Sequence, residues 1–339
     1  MANTSAKMVA VLGCTASGKS ALAEAMACEF QRIHQRMPTI MAVDSMQVYR
    51  GMDIGTSKPS LAARQQIPHA MIDVVNPWES YSAAEFRIAA SRIIADHQQR
   101  QQPLIMVVGT ILYFKALTEG LFAGPSADTS VREELGRIAD ENGTAALHER
   151  LLQVDPVAAE RIHRNDRRRL IRALEVHRIT GKPISELQQQ WITDRPKIDI
   201  PLIVVDRPRD EASQRINQRV GQMIKDGLLD EVRRLTAQRE GLSMQAAQAV
   251  GYKEMIEYLN QTCSFDDAVE RIKINTRHLA KLQRTWLRRY DASHVVRPAA
   301  DQPVESFAAD IIRQVNWHTA TADVNAPPIA EMKSVQGIF

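Results

Sequence analysis

The stretch Met8–Ser20, MVAVLGCTASGKS, decides the fold of this chain. It opens with the apolar run Met8–Leu12, typical of a buried strand, passes through a glycine-containing turn, and leads into the helical pattern Ser20–Phe30. Gly13–Ser20 matches the pattern G-x-x-x-x-G-K-[ST] in full. Backbone N–H groups of such a loop and of the helix that follows surround a phosphate group. The sequence therefore predicts a P-loop.

The whole loop is predicted to bind a molecule that carries a diphosphate or triphosphate. Lys19 adds a positive charge, and the Ser20 hydroxyl is the candidate Mg²⁺ ligand. The motif does not distinguish between phosphate-bearing molecules. The predicted contacts are Gly13, Cys14, Thr15, Ala16, Ser17, Gly18, Lys19 and Ser20.

Two further strands end in polar residues. Thr39–Val43 leads into Asp44, and Leu104–Val108 leads into Gly109 and Thr110, with two long helical stretches predicted between these strands. Alternating strands and helices indicate an α/β fold with a mostly parallel sheet and helices on both faces. Ligands of such sheets bind beyond the carboxyl ends of the strands. We therefore expect Thr15, Asp44 and Thr110 to lie close together.

The helical pattern divides the chain into four parts. Residues 1–122 form the first part of the P-loop core, and residues 123–199 form an all-helical insertion domain. The core returns over residues 200–318, with the strand Ile200–Asp206 and then helices to about Tyr290. Residues 319–339 have little periodicity and are predicted to be a disordered tail.

Positive charge is concentrated in two stretches of a chain whose net charge is only +3. Residues 161–180 hold seven Lys and Arg against two acids, and residues 271–290 hold seven and no acid. The rest of the chain is therefore net acidic. This distribution favours a polyanionic partner. Two solvated helix faces are the alternative interpretation.

Composition favours a globular protein of the cytoplasm. Hydrophobic residues make up 44% and charged residues 24% of the chain, which is ordinary for that class. No window approaches the ~18 consecutive apolar residues of a membrane helix. Cys14, Cys28 and Cys263 show no metal-ligand spacing and are expected to be reduced thiols. We expect a monomer without membrane association.

A long string after the second strand points to a family. Residues 44–59 are DSMQVYRGMDIGTSKP, and with the P-loop this string resembles the tRNA dimethylallyltransferases, also called tRNA isopentenyltransferases. The resemblance extends over about residues 7–300. Shorter family segments are matched at residues 68–73, 81–86, 165–176, 215–219, 250–253 and 281–288.

Two residues depart from the family pattern. Cys14 stands where the family usually has Pro, at a loop position that should tolerate a small residue. Val108 replaces the first Gly of G-G-T-x-x-Y. Because a Cβ is added where backbone is expected to approach the ligand closely, the detailed fit of this loop is in question.

The resemblance implies prenyl transfer from dimethylallyl diphosphate to N6 of the adenosine on the 3′ side of the anticodon in tRNA, with Mg²⁺. It implies three catalytic residues: Asp44 as the general base, Thr15 near the reacting amine, and Arg219 at the diphosphate. Apart from the resemblance, Asp44 suits an indirect Mg²⁺ ligand, a general base or a helix cap. Arg215 and Arg219 are four residues apart on a predicted helix and share one face; two solvated arginines are the alternative.

The resemblance also implies contacts with the anticodon stem-loop of tRNA. From the core and the insertion these are Asp44, Ser45, Met46, Gln47, Thr110, Arg132, Arg168, Arg169, Leu170, Ile171 and Arg172. From the C-terminal helices they are Gln248, Ala249, Val250, Gly251, Tyr252, Lys253, Lys281, Leu282, Gln283, Arg284, Thr285, Trp286, Leu287 and Arg288.

Helical spacing within the second basic stretch predicts a basic outer stripe and an apolar inner face. The stripe is Arg277, Lys281, Arg284 and Arg288. Leu279, Leu282 and Trp286 are predicted opposite it, with Trp286 in the core rather than stacked on a base.

Three other functions fit parts of the sequence. An adenylate dimethylallyltransferase would use a free nucleotide and has no need of the two basic stretches. A P-loop nucleotide kinase would turn over ATP, but residues 44–59 do not resemble kinase motifs. A non-enzymatic P-loop switch would bind tRNA without releasing diphosphate.

Overall fold

A computed structural model describes residues 8–120, 124–125, 127–193, 200–299 and 302–315. Its strands are β1 (Met8–Gly13), β2 (Thr39–Val43), β3 (His69–Ala70), β4 (Leu104–Val108), β5 (Leu202–Val205) and β6 (His294–Val296). They form one sheet in the order β3-β2-β4-β1-β5-β6, and every neighbouring pair is parallel. The α/β fold with a parallel sheet is confirmed.

Helices connect these strands, and several begin at side-chain caps. Ser82 and Glu85 form a reciprocal capping box, and Ser264 caps the long helix that follows it. None of the helices in the described ranges is long and apolar enough to span a bilayer. The helices are α1 (Lys19–His34), α2 (Leu61–Gln66), α3 (Ala83–Gln99), α4 (Ile111–Thr118), α5 (Thr129–Val154), α6 (Pro156–Arg161), α7 (Arg167–Thr180), α8 (Ile184–Thr193), α9 (Arg209–Lys225), α10 (Leu228–Thr236), α11 (Met244–Ala247), α12 (Tyr252–Leu259), α13 (Phe265–Leu287) and α14 (Ala308–Gln314).

Both faces of the sheet are covered, which explains why its central strands are apolar throughout. Met8, Ala10 and Leu12 enter one core cluster, while Val9 and Val11 enter another on the opposite face. The first cluster includes residues of α3, α4, α9, α12 and α13. The second includes residues of α1 and α14. The strand ends are therefore fixed from both sides.

The structure differs from the sequence prediction at the short elements. β3 and β6 were not foreseen, because two or three residues carry no recognisable period. Of the two long helical stretches predicted between β2 and β4, only α3 is long. The other is the six-residue α2, which ends at Gln66 and is followed by Ile67 in extended backbone. Pro68 follows Ile67 directly, and a residue before proline is disfavoured in the helical conformation.

The chain divides into two compact units. One comprises Met1–Thr118 and Ile198–Phe339, and the other is Glu119–Lys197. The second unit contains α5 to α8 and has its own apolar cluster, including Leu147, Leu170 and Val176. The predicted disordered tail, residues 319–339, lies outside the described residues.

Candidate active site

The P-loop connects the end of β1 to the start of α1 through a tight turn. Ala16 and Gly18 adopt left-handed backbone, with φ of 62° and 98°. A Cβ on Gly13 would lie 2.4 Å from Ser17 Oγ, so this position requires glycine. The buried Ser17 hydroxyl has no hydrogen-bond partner among the described residues. The turn brings the loop to the N-terminus of α1, where backbone N–H groups lack intrahelical partners and favour an anion.

Three side chains from distant segments fix the loop's peptide groups. Arg207 Nε donates to the Ser17 carbonyl at 2.8 Å, and Arg215 Nε donates to the Ala16 carbonyl at 3.0 Å. The Thr15 N–H donates to Gln283 Oε1 at 2.8 Å. Sequence reasoning missed Arg207. Its position beyond β5, at the same sheet edge as the loop, is the signal that points to it.

Two cations lie beside the loop, as predicted. Arg219 Nη1 donates to Thr15 Oγ1 at 3.3 Å, and the half-buried Lys19 has no hydrogen bond to the described residues. Burial lowers the pKa of Lys19, the charge of Arg219 lowers it further, and Asp44 opposes the shift. Burial also lowers the pKa of Arg219, and the negative charge of Asp44 again opposes the shift. Burial disfavours the charged forms of Lys19 and Arg219, and a bound anion would stabilise those charged forms.

Asp44 lies directly beyond β2, within electrostatic range of both cations. Its Oδ1 accepts hydrogen bonds from the N–H groups of Met46 at 2.8 Å and Gln47 at 3.3 Å. A Cβ on Gly109 would lie 2.1 Å from Asp44 Oδ2. Asp44 Oδ1 therefore performs the capping role that was considered from the sequence. Asp44 Oδ2 accepts no hydrogen bond from the described residues. One oxygen orients the carboxylate and the other is available for a proton.

The structure around the end of β4 shows where Val108, which replaces the first Gly of the family pattern G-G-T-x-x-Y, places its side chain. The Val108 side chain is buried in the first core cluster, so its Cβ packs into the protein core, and its effect on the ligand's approach stays a prediction. Gly109 is the glycine that the site requires, because the Asp44 carboxylate packs against it. Thr110 Oγ1 accepts from the Ser45 N–H at 2.9 Å and donates to Ser45 Oγ at 3.1 Å. The ends of β2 and β4 are joined in this way.

The loop that begins at Asp44 is braced by a buried carboxylate that sequence reasoning missed. Glu231 accepts the backbone N–H groups of Asp53 and Ile54 at 2.9 Å and of Gly55 at 3.3 Å. It also accepts the Tyr252 hydroxyl at 2.5 Å. Glu231 is the one buried charged residue of α10. The amphipathic period of that helix is the one sequence signal that indicates its burial.

A second brace holds the far end of the same loop. The Lys58 ammonium, whose side chain is 1% exposed, contacts Asp53 and Asp73, each at 2.7 Å. Arg64 contacts the other oxygen of Asp73 at 2.5 Å. Burial alone would raise the pKa of Asp73, but the hydrogen bonds from Lys58 and Arg64 outweigh it and hold the pKa below its usual value. The two braces meet at Asp53, whose N–H donates to Glu231 and whose carboxylate contacts Lys58.

Five of the residues expected to contact tRNA lie in the protein interior, because a matched segment includes the inner side of its helix as well as the outer side. Those five are Leu170, Ala249, Gly251, Tyr252 and Gln283. The exposed members are Arg132, Arg168, Arg169, Gln248, Lys253, Lys281, Leu282, Thr285 and Arg288. The half-buried members are Asp44, Ser45, Met46, Gln47, Thr110, Ile171, Arg172, Val250, Arg284, Trp286 and Leu287.

The inner face of α13 is not the one predicted. Leu279 and Leu282, expected opposite the basic stripe, are 41% and 61% exposed. Ala280 and Gln283 are buried instead, so the inner face is shifted by about one residue, or 100° around the helix. Trp286, predicted in the core, is half-buried, with the Arg289 guanidinium 4.3 Å from its ring centroid.

Two members of the basic stripe are engaged within the protein. Arg277 donates to Asn217 Oδ1 at 2.7 Å, and Arg284 donates to the Arg207 carbonyl at 3.1 Å. The side chains of Lys281 and Arg288 are exposed, with no hydrogen bond or ion pair to the described residues. The stripe therefore offers two unpaired cations to a polyanion, not four.

The helical unit binds two of its arginines to a buried carboxylate. Arg132 contacts Glu175 at 2.7 Å and Arg172 contacts it at 2.6 Å, and the Asp128 N–H donates to it at 2.9 Å. Burial would raise the pKa of Glu175, but the hydrogen bonds from Arg132 and Arg172 hold it below its usual value. These arginines stabilise the unit, whereas Arg168 is exposed and has no partner in the described ranges.

The fold and this site define a P-loop α/β protein in which Lys19 and Arg219 lie beside the loop, within electrostatic range of the Asp44 carboxylate. A sequence model described as "IPP transferase" matches residues 47–290. The chain belongs to this family.

Relatives and solved structures agree with that assignment. The chain is 44% identical over 291 residues to the tRNA dimethylallyltransferase of Geobacter sulfurreducens, covering 85% of this chain and 91% of that one. It is 45% identical over 287 residues to that of Stenotrophomonas maltophilia, covering 83% and 89%.

Two crystal structures are similar to the present fold. The full-length tRNA isopentenylpyrophosphate transferase of Bacillus halodurans matches with a TM-score of 0.60 and 34% identity, over 91% of this chain and 97% of that one. A eukaryotic dimethylallyltransferase acting on tRNA matches with a TM-score of 0.68 and 28% identity, over 86% and 74%.

Proposed function

We propose that this protein transfers a dimethylallyl group from dimethylallyl diphosphate to N6 of the adenosine on the 3′ side of the anticodon in tRNA. The relatives named above carry out a reaction of this class by name. The observation that carries the proposal for this chain is the convergence of Lys19 and Arg219 beside the P-loop, with Asp44 as the carboxylate that faces them. One edge of the sheet thus offers an anion site and a base.

The donor half of the reaction requires stabilisation of a leaving diphosphate. Negative charge develops on the diphosphate as its bond to the allylic carbon breaks. The loop backbone and Arg219 are in position before that charge appears, and Lys19 lies beside them without a hydrogen bond to the described residues. Groups that are in place beforehand stabilise the transition state with little reorganisation. The Arg219 guanidinium also orients the Thr15 hydroxyl at 3.3 Å.

The residues present fit a Mg²⁺ ion held mainly by the diphosphate. Ser20 is exposed at the first turn of α1 and offers one hydroxyl ligand. The described residues include no group of three or more His, Cys, Asp or Glu side chains that could hold a metal ion. Mg²⁺ commonly keeps several waters and binds through few protein ligands plus substrate phosphates. When bound, it would supply further positive charge at the diphosphate.

The acceptor half requires a base, because an adenine amine is a poor nucleophile. N6 forms a bond to the allylic carbon, and the C–O bond breaks with its electron pair leaving on the diphosphate. The N6 proton passes to the Asp44 carboxylate, whose Oδ1 is already held by the Met46 and Gln47 N–H groups. The adenosine must leave the anticodon-loop stack to reach this site, which costs a few kcal/mol.

The tRNA contacts are proposed on the exposed basic residues of each unit. Lys253, Lys281 and Arg288 lie in the first unit, and Arg168 lies in the helical unit. A free-nucleotide acceptor has no use for these charges, and the basic surface therefore supports tRNA over adenylate. We propose that the protein acts as a monomer in the cytoplasm.

Incubation with unmodified tRNA, labelled dimethylallyl diphosphate and Mg²⁺, followed by nucleoside analysis, tests the proposal. We expect label on N6 of the adenosine next to the anticodon and release of diphosphate in equal amount. Parallel reactions contain adenosine monophosphate in place of tRNA, or ATP in place of the donor. Label on the free nucleotide, or ATP turnover without prenylation, would contradict the assignment.

A further inference from the structure

A buried carboxamide joins the two loops that carry the reacting groups. Gln283 is on α13 and only 8% exposed. Its Oε1 accepts the Thr15 N–H at 2.8 Å, and its Nε2 donates to the Gly109 carbonyl at 2.7 Å. Because a peptide N–H can only donate and a carbonyl can only accept, this is the one orientation of the amide that makes both bonds.

Each of the two loops is held to a group that the proposed reaction uses. Thr15 accepts a hydrogen bond from Arg219 through its hydroxyl, and it lies in the loop that would hold the diphosphate. Gly109 packs against the Asp44 carboxylate, and its own N–H is bonded to the Val43 carbonyl at 3.0 Å. One side chain therefore connects the donor side of the site to the side that carries the base.

We propose that Gln283 is a positioning residue that sets the distance between the P-loop and Asp44. The proposal rests on the transferase function proposed above. Productive transfer needs the amine, the allylic carbon and the base in close alignment, and a misplacement of about 1 Å can cost a hundredfold in rate. Gln283 fixes this spacing from outside both loops and touches no reacting atom.

This assignment differs from the tRNA contact that the sequence resemblance implied for Gln283. A residue that contacts RNA exposes its polar atoms, whereas both polar atoms of this carboxamide are bonded within the protein. The exposed neighbours Lys281 and Thr285 remain candidates for the RNA surface. Helix α13 thus presents a polar clamp on its inner side and cations on its outer side.

Two variants of Gln283 test the proposal, with steady-state kinetics in both substrates. Gln283→Ala removes both hydrogen bonds, and we expect kcat to fall at least tenfold while KM for tRNA stays within about twofold. Gln214→Ala, an exposed glutamine on α9, is the matched control and should behave as wild type. If the wild-type protein itself showed no transfer, that result would contradict the proposed transferase function. It would not bear on the positioning role of Gln283.

Gln283→Glu gives a signature in kcat that an RNA contact does not produce, provided that melting curves show the variant folded across the pH range. An ionised carboxylate still accepts from Thr15 but repels the Gly109 carbonyl, whereas the protonated acid restores both bonds. We therefore expect the ratio of variant to wild-type kcat to rise as pH falls from 8 to 6, since burial favours the protonated form.

Three results would overturn the positioning role. They are a wild-type kcat for Gln283→Ala, an effect confined to KM for tRNA, or a fall in kcat that follows the unfolding of the variant in melting curves. A ratio for Gln283→Glu that does not change with pH would also contradict it.

Discussion

The P-loop region and the outer surface of α13 were predicted from the same sequence and differ in how their charged side chains are used. Around the loop, Arg207, Arg215 and Arg219 each donate to a specific backbone or hydroxyl oxygen of residues 15–17. On α13 and at its C-cap, the exposed side chains of Lys281 and Arg288 make no hydrogen bond or ion pair in the described ranges. The first region fixes these three arginines, and the second leaves its two cations free.

This difference agrees with the ligand that we propose for each region. A diphosphate has a fixed shape and is stabilised most by groups that are in place before charge develops. A nucleic acid backbone is a repeating line of charge that flexible, hydrated cations can follow. Substitutions in the first region should therefore affect the chemical step strongly, while those in the second should affect tRNA affinity modestly and in a salt-dependent way.

Replacement of the base should have the largest effect. In Asp44→Asn the side-chain oxygen can still accept from Met46 and Gln47, so the turn is preserved while the proton acceptor is removed. We expect kcat to fall by roughly 10²–10⁴, the usual contribution of a positioned base, with donor affinity little changed. Single-turnover rates and a donor titration measure the two quantities. Loss of donor binding with Mg²⁺ would instead assign Asp44 to the metal site.

Removal of a cation from the anion site should have the next largest effect. Lys19→Met or Arg219→Met should lower kcat/KM for the donor by roughly 10²–10³, as for loss of one preorganised donor to a developing anion. The affinity for tRNA should not change. Arg209→Ala is the matched control, because Arg209 is exposed on α9. A variant that keeps normal donor use but binds tRNA poorly would move its residue to the RNA surface.

Charge reversal on α13 should have a smaller effect that depends on salt. Lys281→Glu or Arg288→Glu should weaken tRNA binding and flatten the plot of log affinity against log salt, by about 0.7 in slope for each single-strand phosphate that is no longer neutralised. Arg284→Glu is unsuitable, because Arg284 is bonded to the Arg207 carbonyl. Arg313→Glu, which makes the same charge change on α14, is the control and should leave tRNA binding unchanged. An unchanged slope with undiminished affinity would exclude this surface from tRNA binding.

The helical unit should show the smallest effect, in stability and not in turnover. Hydrogen bonds from Arg132 and Arg172 hold the pKa of Glu175 below its ordinary 4.5. A lowered carboxylate pKa stabilises the fold above the unfolded-state value, and that stability is lost as pH falls through the folded-state value.

Glu175→Gln removes this titration. We therefore expect the melting temperature of Glu175→Gln to lie below that of wild type at pH 7, and the difference to narrow as pH falls below 4.5. Melting curves from pH 7 to pH 3 measure it. A constant difference across that range would show that the ion pairs are not the source of the stability.

The P-loop region could be predicted well from the sequence because its signals are local. A P-loop needs residues at fixed spacing, and Asp44 and Thr110 follow directly from strand ends that align in a parallel sheet. Gln283 bonds Thr15 and Gly109, which are 268 and 174 residues away in the chain. Glu231 bonds the backbone of a loop far from it in the sequence. No short pattern reports such contacts, and both were found only when the helices were placed.

The RNA half was specified less well because charge counts do not show which side of a helix is free. Residues 271–290 contain seven basic residues, yet Arg271 and Lys273 are paired with Glu257 and Glu270. The leucines Leu279 and Leu282 suggested an inner face that Ala280 and Gln283 occupy instead. Burial of alanine and glutamine on a helix is decided by its neighbours and not by its own period.

Crossed binding measurements test the separation of the two regions most directly. The donor dissociation constant of Arg288→Glu and the tRNA dissociation constant of Lys19→Met are each compared with wild type at one salt concentration. We expect both values to stay within about twofold of wild type, while each variant is impaired toward its own substrate. Equal loss of both affinities in either variant would contradict a division between a fixed donor site and a free RNA surface.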